Sequence, residues 1–279
     1  MPSMPTQLPD PIIITKKVDQ HVRIHTFVAA FTEDNIANAT HIIESKDVLV
    51  LIDSQFLAPY ATQFRAYADS LGKPIDRLYI SHRHPDHWFG LGTAFSDIAI
   101  YALQETVDFI RENGEASRED HLGTLGDLAP KTIVVPQNVA RRGVEEINEV
   151  KYAFERVVDT EIDFLLTIRL PDLGVSIPQD LIYSGTHLYL TKDFENWIRV
   201  LQKMLTSDDE LFLPGHGFPA GKDEVAKNAE YLCAARAAMA TGLTKSYFKQ
   251  YLLARYPERK CPGIFDIYLP RLFDDASQF

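Results

Sequence analysis

Leu78-Tyr79-Ile80-Ser81-His82-Arg83-His84-Pro85-Asp86-His87-Trp88 holds the densest chemistry in the chain. Leu78-Tyr79-Ile80 is a short apolar run of the kind that fills a strand buried on both faces. It leads into His82, His84, Asp86 and His87, four metal-capable side chains within six residues. Alternate side chains of an extended segment share a face, so His82 and His84 can converge on one point. Pro85 turns the chain, and Asp86 and His87 then swing round to a second point nearby. Neutral imidazole and carboxylate suit Zn, Fe or Mn. A structural turn has no need of three histidines at this spacing, so a metal centre at the end of a buried strand is expected.

The flanking sequence alternates strands with helices. Residues 22–31, 39–43 and 48–52 read as strands, the last of them the continuous apolar run Val48-Leu49-Val50-Leu51-Ile52 ending at Asp53. Tyr60, Phe64, Tyr67 and Leu71 recur at helical spacing, and Gly72 and Pro74 stop the pattern. Downstream, 98–101 reads as strand, 102–112 as a helix stopped by Asn113-Gly114, and 132–135, 151–158 and 164–170 as strands. Pro171 to Gly174 forms a turn, after which apolar triplets at 175–177 and 181–183 flank Asp180. Asp193 is placed to cap a helix that carries Phe194, Trp197, Leu201 and Met204 on one face. A short strand over 211–213 then enters a loop, Pro214-Gly215-His216-Gly217. Two helices, 224–240 and 244–255, precede an aromatic tail of Ile264, Phe265, Tyr268, Leu269, Leu272 and Phe273. This order predicts a layered α/β fold. The expected organisation is one domain over 1–221, opening with an irregular leader over 1–11. A helical extension over 222–279 packs on it as edge cover, lid or dimer contact.

Composition narrows the function. Against 39 Asp and Glu stand only 28 Lys and Arg, a net charge of −11 that does not suit a phosphate backbone. Arg141-Arg142 is far short of a basic patch. Two cysteines, Cys233 and Cys261, supply neither a disulfide framework nor a thiolate cluster. No secretory signal and no apolar stretch of about 18 residues is present, so a cytoplasmic protein that engages no membrane is expected. The expected partner is a small-molecule substrate, with a homodimer through the C-terminal region as a further expectation.

His216, in its glycine-flanked turn, and Asp180, between apolar triplets, complete the set. An unpaired carboxylate at such a position is costly unless it binds metal or hydrogen-bonds. In order, Asp53, His82-x-His84-x-Asp86-His87, Asp180 and His216 resemble four of the five motifs of the metallo-β-lactamase superfamily, over residues 24–217. The resemblance implies a four-layer αββα sandwich of two mixed sheets, with metals in a cleft at one sheet edge. It implies that His82 and His84 hold one metal, that Asp86, His87 and His216 hold a second, and that Asp180 bridges them. Asp53 would orient a ligand imidazole. Two divalent ions follow, zinc foremost, with iron or manganese, or a single ion, as alternatives.

The fifth motif, a lone histidine, is missing. Counting back from Leu170-Pro171 puts Glu161 in its place, and a small gap would put Thr160 or Asp163 there instead. His121 or His187 folding in from elsewhere, or an empty position, are the remaining options. A carboxylate there adds negative charge and favours harder metals. The implied chemistry is hydrolysis of an ester, lactone or thioester by a metal-activated water, with Asp86 or Asp180 moving the proton. Trp88, Tyr183 and His187 are candidate pocket residues. An iron-dependent, dioxygenase-like redox enzyme and a non-catalytic binding module with a degenerate site are the alternatives.

Overall fold

The computed structural model describes residues 8–29, 32 and 36–273. In chain order the elements are β1 (Ile12–Lys17), β2 (Arg23–Val28), β3 (Ala39–Glu44), β4 (Leu49–Ile52), α1 (Ala58–Ser70), β5 (Ile75–Ile80), α2 (Pro85–Trp88), α3 (Leu91–Ala94), β6 (Ile100–Ala102) and α4 (Gln104–Leu125). There follow β7 (Asn138–Val139), β8 (Gly143–Ile147), β9 (Val150–Val158), β10 (Phe164–Leu170), β11 (Val175–Ser184), α5 (Phe194–Leu205), β12 (Leu211–Gly217), α6 (Lys222–Ala240), α7 (Lys245–Arg255) and α8 (Ile264–Phe273).

The strands form two mixed sheets, one in the order β1-β2-β3-β4-β5-β6-β7 and the other β12-β11-β10-β9-β8. Strand periodicity divides their side chains among three cores. Ile43, Val50, Ile52 and Tyr79 of the first sheet meet Phe154, Leu166, Ile168 and Ile177 of the second between the sheets. The alternate residues Ile42, Leu51, Leu78 and Ile80 face outward onto Tyr60, Phe64, Trp88 and Ile110 of the helices. On the far side Leu165, Leu181 and Ile182 pack against Trp197, Tyr231, Leu252, Phe265 and Tyr268. Helix, sheet, sheet and helix thus form the expected αββα sandwich. Because β4 is buried on both faces, its sequence is apolar without alternation.

Parallel pairing decides where chemistry can gather. β4 and β5 run side by side with Leu51 opposite Leu78 and Ile52 opposite Tyr79, so Asp53 and Ser81 leave the sheet together. β11 and β12 are also parallel, with Tyr183 opposite His216.

Several boundaries differ from the sequence reading. Residues 132–135 form no strand, although Ile133, Val134 and Val135 cover the outer core as extended chain. Asn113-Gly114 does not stop α4, which continues to Leu125. A Cβ on Gly114 would lie 2.9 Å from Ile133 Cγ2, so this glycine serves close packing rather than termination. Asp180 lies inside a single strand, and His216 lies within β12 rather than in a loop. Asp193 precedes α5 without a side-chain capping bond, whereas the Thr244 hydroxyl caps α7 by accepting from Tyr247 N. Of the leader, residues 8–11 have no regular structure, Ile12 already belongs to β1, and 1–7 lie outside the described residues. Of the strand expected over 22–31, residues 30–31 likewise lie outside them. The aromatic tail is α8, with Phe265, Tyr268, Leu269 and Leu272 buried in the core shared with β11. No described helix is long and apolar enough to cross a membrane.

Candidate metal centre

At the end of β4 the chain turns through left-handed backbone, with φ of +60° at Asp53 and +78° at Gln55. Ser54 N donates to His87 O at 2.8 Å and Gly90 N to Gln55 O at 2.9 Å, which ties this loop to the histidine turn. His84 is extended and ends the first leg; Pro85 then starts the single helical turn α2 that carries Asp86 and His87. Fixed φ at the first helical position suits proline and makes the turn sharp. From the second sheet, β11 supplies Asp180 and β12 supplies His216. The turn between β9 and β10 supplies Glu161, with Asp159 at φ +50° and Asp159 N donating to Asp163 O at 3.2 Å.

These side chains converge as two groups of donor atoms. His82, His84, Glu161 and Asp180 form one and Asp86, His87 and His216 the other, each with all its donors within 4.8 Å of one another. In the first, His82 Nε2 lies 3.1 Å from His84 Nδ1 and 3.5 Å from Asp180 Oδ2, and His84 Nδ1 lies 3.3 Å from Glu161 Oε1. In the second, Asp86 Oδ2 is 3.4 Å from His87 Nε2 and 3.5 Å from His216 Nε2. Asp180 touches both: its Oδ1 is 3.2 Å from His87 Nε2 and its Oδ2 is 3.2 Å from His216 Nε2. Only His84 and Asp86 reach solvent appreciably, at 23% and 15% of their side-chain surface, so they mark the mouth.

The carboxylates and imidazoles set each other's charge. Burial drives the His82 pKa well below its usual value and that of His84 to about 4. At His87 burial opposes the charged form, but Asp180, Asp86 and Asp53 overcome it and hold the imidazole well above its usual pKa. His216 is raised in the same way, against burial, by Asp180 and Asp86. Burial likewise works against ionised Asp180 and Asp86, and the neighbouring imidazoles, His87 foremost, keep both below the ordinary carboxylate range. Glu161 is the exception, pushed well above that range by burial and then by Asp180.

Four buried atoms of the cluster have no hydrogen-bond partner among the described residues: His87 Nε2, Asp180 Oδ1 and both Glu161 carboxylate oxygens. Buried polar atoms are normally paired, and unpartnered atoms of metal-ligating type among converging donors suit a ligand. Three of the four lie within 3.3 Å of another donor without hydrogen-bond geometry. Nitrogen and oxygen donors in this arrangement fit divalent cations, zinc, iron or manganese among them.

Asp53 stands behind the centre. Its Oδ2 accepts from His87 Nδ1 at 2.7 Å, while Oδ1 accepts from Ser81 N at 2.8 Å. Tyr183 is buried, stacks on His216 with centroids 4.8 Å apart, and donates its hydroxyl to Asp180 Oδ2 at 3.3 Å.

Other candidates fall elsewhere. Trp88 is buried in the core and donates Nε1–H to Arg83 O at 2.9 Å, so it forms no open pocket wall. His187 packs on Phe265 and is bonded through Nδ1 to the Tyr231 hydroxyl at 3.0 Å, in neither donor group. His121 lies on α4 against Phe56 and Phe89. Asp163 accepts from Arg83 Nη2 at 3.0 Å, and Thr160 contributes no donor to either group. Gln179, His41, Ser81 and Asn38 were not singled out by sequence. A glutamine next to a buried aspartate, amid apolar neighbours, is itself the signal that could have found Gln179.

The geometry agrees with comparison to known proteins. The family model for the metallo-beta-lactamase superfamily matches residues 35–216. No curated protein matches the chain in sequence. Among solved structures, a metallo-beta-lactamase from Pontibacter korlensis is similar at 15% identity and a TM-score of 0.63, over 80% of this chain and 99% of that one. The metallo-beta-lactamase IND-7 is similar at 18% identity and 0.64, over 81% and 100%. FIM-1 from Pseudomonas aeruginosa, in its mono-zinc form, is similar at 18% identity and 0.59, over 81% and 97%. At these identities the structures speak for the fold, while the family model spans most of the chain and all the converging donors. The chain belongs to the metallo-β-lactamase superfamily.

Proposed function

We propose that the chain is a metal-dependent hydrolase that cleaves an ester, lactone or thioester bond in a small molecule. The observation that carries this reading is the pair of donor groups joined by Asp180, a member of the first that lies 3.2 Å from His87 and His216 of the second, with four buried polar atoms of the cluster unpartnered. His82, His84, Glu161 and Asp180 would hold one divalent ion, and Asp86, His87, His216 and Asp180 a second. Ions bound there would supply a Lewis acid for the carbonyl oxygen and lower the pKa of water. Zinc is the first choice, supported by the mono-zinc relative.

The chain's own residues do the rest. Asp53 holds His87 Nδ1–H, so Nε2 faces the centre and would give up its proton to a bound ion. Asp86 is the carboxylate of the cluster open to solvent, and it would take the proton from the attacking water and return it to the leaving group. Asn38 Nδ2 donates to Asp86 Oδ2 at 3.3 Å and steadies it for that exchange. The Tyr183 hydroxyl, 3.3 Å from Asp180 Oδ2, anchors that carboxylate.

Elemental analysis paired with a panel of esters, lactones and thioesters, with and without chelator, tests the reading. Two metals per chain and chelator-sensitive turnover are expected; full turnover by metal-stripped protein would end it. Glu161 favours one second reading, because two imidazoles and two carboxylates also suit iron. Co-purifying iron with oxygen consumption, in place of hydrolysis, would select that redox chemistry.

A further inference from the structure

Behind the metal centre a chain of buried hydrogen bonds crosses from one sheet to the other, and its direction can be worked out atom by atom. It begins at His41 on β3, whose Nε2 lies 3.0 Å from Pro214 O. A carbonyl only accepts, so Nε2 carries the proton and Nδ1 accepts from the Thr26 hydroxyl at 3.0 Å. The same Nε2–H meets Gln179 Oε1 at 3.2 Å, which fixes the amide orientation of Gln179 on β11. The amide nitrogen then donates to Asp53 Oδ2. As an acceptor only, Asp53 also takes the Ser81 hydroxyl proton at 2.8 Å and His87 Nδ1–H at 2.7 Å. With its proton committed to Asp53, Ser81 Oγ can only accept from His82 Nδ1, 2.9 Å away. His82 therefore carries its proton on Nδ1, His87 also keeps a proton on Nδ1, and both rings turn Nε2 toward Asp180, at 3.5 and 3.2 Å.

We propose that Gln179, oriented by His41, is a positioning residue that sets the tautomers of His82 and His87 through Asp53 and Ser81. One amide thus prepares a ligand for each of the two metal positions. Glutamine suits the task because it accepts at one end and donates at the other, and carboxylate or hydrocarbon side chains of that length cannot do both. The backbone is bent to deliver it: Gln179 has φ of +48°, and the β11–β12 register shifts on either side of it. Strained φ in a non-glycine residue persists only where the surroundings hold it, and functional sites are where it gathers. His41, Gln179, Asp53, Ser81 and Thr26 are all buried, so water does not compete for these bonds. Because His41 and Gln179 come from different sheets, the ligand tautomers are set only once the sandwich has closed.

The inference rests on the centre binding metal, not on the substrate. Nitrogen-15 spectra of the histidine-labelled chain test it, without metal and loaded with zinc alone. His41 is expected as a neutral Nε2–H ring, and His82 and His87 as Nδ1–H rings with zinc on Nε2. His41 found as the Nδ1–H tautomer, or zinc on Nδ1 of either ligand, would overturn it. Gln179→Met keeps the length and removes both polar ends. Zinc affinity measured by chelator competition should fall about tenfold to a hundredfold in the folded variant, the usual effect of losing such outer partners. Unchanged affinity in folded Gln179→Met would refute the proposal. If the variant does not fold, the His41 tautomer in the parent decides. Failure of the parent to bind zinc would strike the metal reading, while the His41 tautomer in metal-free protein would still report on the relay.

Discussion

Gly215 stands against the carboxylate shared by the two donor groups, and a methyl there has nowhere to go. A Cβ on it would lie 1.8 Å from Asp180 Oδ1 and 3.0 Å from Asp180 Cγ. Gly215→Ala must therefore push Asp180 aside or bend β12, and bound metal per chain should fall at both positions, as read by elemental analysis. Glu161 poses the complementary question. Burial and then Asp180 push its carboxyl well above the ordinary carboxylate range, and a cation bound beside it would favour the ionised form. Glu161→Ala should lower the metal content by one ion, leaving Asp86, His87 and His216 loaded, and unchanged content would move the ligand elsewhere. Glu161→His should keep both ions but shift preference from manganese toward zinc, since imidazole is the softer ligand. Competition between the two metals, followed by elemental analysis, checks the direction.

At the scale of elements, the last helices hold the end of β11 where the site needs it. Arg259, between α7 and α8, is buried and donates Nη1–H to Tyr183 O at 3.1 Å and to Thr186 O at 2.7 Å. Its Nη2 meets Glu224 Oε1 of α6 at 3.0 Å. Arg259→Met removes a donor from Thr186 O, Tyr183 O and Glu224, the last two of which keep Asn228 and Lys227 beside them, and losing charge-assisted bonds of this kind costs about 1–3 kcal/mol. Urea unfolding should show a loss of that order. How much the sequence displayed also varied by element. Val48 to Ile52 and Leu78 to Ile80 were legible as strands because burial on both faces makes the apolar run continuous. Ile133 to Val135 misled for the same reason: Pro136 offers no N–H, and the segment covers the core without pairing. β11 read as two fragments because Gln179 and Asp180 interrupt its apolar pattern, and that interruption is the site itself. The residues that converge were readable from type and order, except that the place of the missing histidine stayed open among Glu161, Thr160, Asp163, His121 and His187; the structure brings Glu161 to the others. Gln179 carried a signal beside Asp180, but its pairing with His41 did not, since a lone polar residue in an apolar strand does not reveal its partner across the sandwich.

For the molecule as a whole, buried imidazoles decide the response to acid. His41 and His187 are held near pKa 4 by burial, as is His84, and His82 is also driven well below its usual value. In the unfolded chain each would titrate at about 6.5. Between pH 6.5 and 4 the unfolded metal-free chain therefore binds protons that the folded one refuses, and stability falls as pH falls. Glu161 acts the other way: its folded pKa is raised, so its contribution is present at low pH and lost as pH rises. His87 and His216, raised in the fold, also act the other way, but only near and above pH 6.5, where their unfolded counterparts lose protons; toward pH 5 they are protonated in both states and add little slope. Four imidazoles acting over the whole interval outweigh one carboxyl and the partial opposition of His87 and His216, so urea unfolding of chelated protein should show a lower midpoint at pH 5 than at pH 7. Zinc changes the sign of one contributor, because a bound cation keeps Glu161 ionised and removes its opposition. Acid should then release the metal as His82, His84, His87 and His216 take up protons, and the pH dependence of the loaded protein should be the steeper of the two. A loaded protein whose midpoint moved no more than that of the chelated one would show that these histidines do not hold the ion.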